Sequence, residues 1–164
     1  MAKTKTDHGP GQRPMKLAEA LLVRADQKKK LASLRERLVL NGRVQEGDQP
    51  HEDPEELLRE AASVLQQQED LLLRIDRANA STLLADGRSV LQALGRRDSL
   101  GTQHSLLSSL LERAKQETER YSSSEIKWRT TFSVKAIQKR LEDVARQMRE
   151  INGHIQEANW KAEV

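Results

Sequence analysis

VKAIQKRLEDVARQMREINGHIQEA, residues 134–158, is the stretch that decides the fold. Val134, Ile137, Leu141, Val144, Met148, Ile151, Ile155 and Ala158 follow one another at alternating spacings of three and four. That period lays eight apolar side chains along one face of an α-helix and leaves charged residues on the other. A stripe this regular is a coiled-coil seam, and it requires a partner surface. The fold class is therefore mainly α.

Working back toward the start of the chain, the same period recurs three times. Leu17, Leu21, Leu31, Leu34 and Leu38 thread a first helix over about Lys16 to Asn41, which stops at Gly42. Lys28, Lys29 and Lys30 interrupt the thread and read as a solvated face. Gly42 to Glu52, with Gly47 and Pro50, is a linker of hairpin length. Asp53-Pro54-Glu55-Glu56 then supplies an N-cap, a proline at the first helical position and a glutamate three residues past the cap. Leu58, Ala61, Leu65, Gln68, Leu72, Ile75 and Asn79 form the seam expected of this second helix, with Leu57, Val64 and Leu71 as a second stripe. Gln68 and Asn79 are candidate buried polar residues of the kind that fix register.

A third helix is expected over about Val90 to Arg120, weakened by Gly95 and Gly101. Leu100, His104, Leu107, Leu111, Ala114, Thr118 and Tyr121 form its seam, which makes His104 a third candidate buried polar residue. Asp86-Gly87 suits a tight turn between extended arms, and Ile126 to Phe132 partly alternates apolar with polar. The expectation is four long helices in antiparallel hairpins forming a coiled-coil-like bundle. Short extended or β-hairpin segments lie near residues 82–90 and 124–132. Residues 15–164 read as one helical domain, preceded by a disordered extension at residues 1–14 that holds glycine, proline and lysine but no apolar run; Met15 could be the natural start.

Composition narrows function mainly by exclusion. The chain has 164 residues, no cysteine, 36% hydrophobic and 32% charged residues, and a net charge of +3. Disulfides and thiolate chemistry are excluded, and a cytoplasmic setting is expected. No run approaches the roughly 18 to 20 apolar residues needed to span a bilayer. Lys16 to Asn41 carries seven Lys and Arg against three Asp and Glu, whereas Gly42 to Glu60 carries two against seven. A nucleic-acid binder would present a continuous basic face; here Arg96-Arg97, Lys139-Arg140, Arg146 and Arg149 are interleaved with Asp98, Glu142, Asp143 and Glu150. Nucleotide loops, His-Glu-x-x-His pairs and nucleophile elbows are absent. His104 and His154, with Glu157 near the latter, could meet across a helix pair, but a packed histidine is the commoner reading. No cofactor, metal or small molecule is expected.

The four aromatic residues, Tyr121, Trp128, Phe132 and Trp160, all lie in the last third of the chain. They form a candidate interface, because aromatic anchors concentrate where surfaces bury against one another. Taken together, the residues point to a non-catalytic, homo-oligomeric helical scaffold or protein-interaction module. An enzyme or ligand site assembled between subunits is the alternative.

Four segments carry a further likeness: Met15-Lys16-Leu17-Ala18-Glu19-Ala20-Leu21, Leu84-Ala85-Asp86-Gly87-Arg88, Tyr121 to Trp128, and Ile155 to Trp160. Through them residues 15–164 resemble a bacterial family of small helical proteins sometimes labelled septicolysin. That resemblance implies a helical fold and, through the label, a pore-forming, membrane-acting protein. It implies no catalytic residue.

Overall fold

The structure is a computed structural model and describes residues 15–116 and 129–164. Four helices account for most of them: α1 (Leu17–Asn41), α2 (Pro54–Ser81), α3 (Val90–Gln116) and α4 (Val134–Lys161). The caps explain where they begin. The Asp53 carboxylate accepts from the Glu55 amide at 2.9 Å, and Pro54 follows at the first helical position. Ser89 and Gln92 cap α3 reciprocally: the Gln92 amide donates to Ser89 Oγ at 3.2 Å, and the Ser89 amide to Gln92 Oε1 at 2.9 Å. At α4 the Ala136 amide donates to Ser133 Oγ at 3.3 Å.

The described residues form two compact units: residues 15–82 with 159–164, and residues 83–116 with 129–158. In the first, α1 and α2 make an antiparallel hairpin with two buried clusters. One joins Leu17 and Ala20 to Leu71, Ile75, Ala78 and Val164. The other joins Leu34 to Leu57 and Val64. Where α1 ends, the Asn41 amide group donates to Arg37 O at 2.9 Å, and Asn41 Oδ1 accepts from the Glu52 backbone at 3.0 Å. Arg37 adds an ion pair to Glu52, so one buried asparagine and one ion pair hold the two ends of the linker.

In the second unit, α3 and the seam of α4 share one core. Leu100, Leu107 and Leu111 are buried with Ile137, Val144, Ile151, Ile155 and Ala158, while Leu141, Met148 and Phe132 pack against them. Arg96 Nη2 donates to Gln147 Oε1 at 3.0 Å, and Asp86, ten residues earlier, feels the charge of His154, seven residues later. The two helices are therefore antiparallel.

Two expectations are corrected. No strand occurs among the described residues. The arms around Asp86-Gly87 reduce to one antiparallel bridge between Leu83 and Ser89, with the Leu84 amide donating to Arg88 O at 2.8 Å and Gly87 at φ +83°. The reason is length: Thr82 still caps α2 and Ser89 already caps α3, so pairing has nowhere to extend. Of the segment near 124–132, residues 124–128 lie outside the described residues, and Arg129 to Phe132 form no strand. The second correction concerns α2. The stripe that packs on α1 is Leu57, Val64, Leu71 and Ala78, whereas Leu58 and Leu65 of the expected seam are 50% and 53% exposed.

Candidate functional site

The unusual chemistry of the first unit lies midway along the hairpin. Between its two apolar clusters the seam turns polar. On α1, Leu17, Leu31 and Leu38 recur at sevens with Arg24 in the series, and Ala20, Leu34 and Asn41 recur with Gln27. On α2, Ala61 and Ile75 recur with Gln68. Because the helices are antiparallel and Leu17 meets Ile75 while Leu34 meets Leu57, Arg24, Gln27 and Gln68 fall at one level. Arg24 Nε, Gln27 Oε1 and Gln68 Nε2 are each buried with no hydrogen-bond partner among the described residues. Two donors and one acceptor thus interrupt a seam that is otherwise mostly aliphatic. Such a layer disfavours slipped pairings, since any shift would bury these groups against leucine, and it lowers stability in return.

Beside this layer is a cleft of about 230 Å³, lined by Met15, Val23, Gln27, Gln67, Asp70, Leu71 and Arg74. Near Met15, residues 15–17 pair with residues 162–164. The Leu17 amide donates to Ala162 O and the Val164 amide to Met15 O, both at 3.0 Å. Lys16 pairs with Glu163 at 2.8 Å, and Arg74 Nη2 donates to Val164 O at 2.8 Å. The buried Val164 side chain completes the cluster around Leu17 and Ile75.

The hairpin has two unlike flanks. One holds the cleft, the cross-helix ion pair of Lys30 with Glu60 at 2.7 Å, and the pair of Arg37 with Glu52 at the end of the linker. The hydrogen bond from Arg37 holds the Glu52 carboxyl below its ordinary range, and that from Lys30 does the same for Glu60. The opposite flank has no such pairing. It carries the row Leu58, Leu65 and Leu72 of α2 and the row Ala18, Ala25, Ala32 and Val39 of α1, each one residue on from a core row and each at sevens.

The residues singled out in the sequence are dispersed. Tyr121 and Trp128 lie outside the described residues. Phe132 is partly buried on the α3–α4 core, whereas Trp160 is 62% exposed. Asn79 is buried, Gln68 partly so, and His104 is partly buried between Leu100 and Leu107. His154 is exposed. No group of three or more His, Asp or Glu among the described residues could hold a metal ion. In the turn before α3, Asp86 sits below the ordinary carboxylate range because Arg88 donates to it from side chain and backbone. The leucine thread of α1 does not reveal Arg24 and Gln27; carrying the sevens on from Leu17 and Ala20 finds both.

The fold and this layered hairpin define a class of small, mainly α-helical protein. The chain belongs to a family of unknown function (DUF6847), whose pattern matches residues 24–164. It is similar to a functionally unknown conserved protein from Corynebacterium diphtheriae, known from a crystal structure. The two share 36% identity over 93% of this chain and 99% of that one, with a TM-score of 0.87. No curated protein matches it. No helix among the described residues is long and apolar enough to cross a membrane.

Proposed function

We propose that this protein is a non-catalytic helical interaction module of the bacterial cytoplasm that works by self-association. One observation supports this above the others. Leu58 and Leu65 stand half exposed on a regular helix whose own hairpin is already closed by Leu57, Val64 and Leu71. Leucines spaced by seven on a solvent-facing row are the mark of a second helical contact. Trp160, 62% exposed, adds an aromatic side chain to the apolar surface of the same unit.

Light scattering across a concentration series tests the proposal. A mass above that of one chain at micromolar concentration is expected, and a monomer throughout would end it. The membrane-acting reading that the septicolysin label implies is tested on the same sample with dye-loaded vesicles. Release of dye at concentrations where the protein is monomeric would replace self-association with membrane action.

A further inference from the structure

Resting on the self-association proposed above, we infer that the partner is a second copy of this chain, docked through the unpaired flank of the α1–α2 hairpin about a two-fold axis parallel to the helices. The apolar part of that flank is Leu58, Leu65 and Leu72 with Ala25, Ala32 and Val39. Large side chains on one helix stand beside mostly small ones on the other, so a copy turned half a revolution brings each leucine row over an alanine row. Leucines then fill the space the alanines leave.

Charge selects the axis. α1 carries six Lys and Arg against three Asp and Glu, and α2 carries three against six. On this flank the charged residues are Lys28 and Arg35 of α1, and Glu55, Glu69 and Asp76 of α2, and none of these five makes an ion pair among the described residues. An axis parallel to the helices sets basic α1 of one copy against acidic α2 of the other. An axis perpendicular to them would set α1 against α1, with the lysine run at its midpoint facing itself. Like charges placed so are repelled.

The area is sufficient. Helices of 25 and 28 residues are about 40 Å long at roughly 1.5 Å per residue. Two of them side by side at about 9 Å spacing present a face of roughly 700 Å². Two such faces give about 1,400 Å², within the range of stable interfaces.

The test uses the full chain and variants on each flank. The parent should scatter as a dimer or a multiple of one. Leu65→Lys, at an exposed position, should weaken association at least tenfold with unchanged helical circular dichroism, and Leu58→Lys should do the same. Gln67→Lys, on the cleft side, should leave the mass unchanged. Since the chain has no cysteine, Lys28→Cys reads the axis: under oxidation it should stay unlinked, because the two α1 helices are diagonal. A parent that is monomeric at every concentration overturns self-association itself. A parent that is oligomeric while both lysine variants keep its mass overturns this flank and leaves self-association standing. Rapid disulfide formation by Lys28→Cys overturns the axis.

Discussion

Gln68→Leu should make the protein more stable, although it removes a residue from the centre of a seam. Gln68 stands between Val64 and Leu71, both buried, and its Nε2 is buried without a partner. Leaving a buried donor unsatisfied costs about 1–3 kcal/mol, and the partial exposure of the side chain places Gln68 at the lower end. A leucine of similar volume also brings apolar surface into contact with the two clusters it separates, adding up to about 1 kcal/mol. The net gain is roughly 1–2 kcal/mol, which for a chain of this size raises the melting temperature by roughly 3–6 °C. Thermal melts followed by far-UV circular dichroism measure it directly. A lowered melting temperature would mean that the amide is held by a partner and that the layer stabilises the seam. An unchanged one would mean that the site is wet.

Three further outcomes are expected. Gly95→Ala and Gly101→Ala should each stabilise α3 by about 0.5–1 kcal/mol, because a methyl at either position meets nothing within 4 Å beyond its chain neighbours and its own turn of helix backbone; urea unfolding of the single variants checks this. Ile151→Asp places a carboxylate where the side chain is 4% exposed, at a cost of several kcal/mol, and should abolish the cooperative melt. Glu52 has its carboxyl held low by the hydrogen bond from Arg37. Its contribution is therefore complete above the ordinary glutamate pKa and lost as pH falls through the lower folded value, and Glu52→Gln should flatten the acid side of a melting temperature against pH profile.

The clearest parts of the sequence were those in which one helix face had a single apolar stripe. In α4 the alternating threes and fours meet the observed burial from Ile137 to Ala158, because no second stripe competes there. The start of α2 was equally legible, since Asp53-Pro54 acts within one turn of backbone. α2 itself shows the limit. Leu58-Leu65-Leu72 and Leu57-Val64-Leu71 differ by one residue, and spacing cannot say which of two adjacent leucine rows turns toward α1. That choice rests on contacts distant in sequence, those of Leu57 and Val64 with Leu34 and of Leu71 with Leu17. The polar layer is hidden for a related reason: the lysine run makes α1 look like a broken thread, and Arg24 and Gln27 fall in the gap between Leu21 and Leu31. The clasp of Lys16 with Glu163 joins residues 147 apart, and no local pattern announces it.

The two leucine rows of α2 and the polar layer bear on one another. A hairpin that only had to close on itself would need one row, and a second row of exposed leucines carries a solubility and aggregation cost unless it is covered. Covering it requires that the rows of α1 and α2 stand at fixed levels, because a slip along the seam would move Ala25 and Ala32 away from the places where the leucines of a facing helix seat. Three buried polar atoms at one level impose that fixed alignment, since every slipped pairing puts them against aliphatic side chains. An energetically unfavourable layer inside the hairpin and an unneeded apolar row on its outside are hard to account for separately. They are consistent together if the hairpin is built to present a surface in register, and less consistent with a hairpin selected for its own stability.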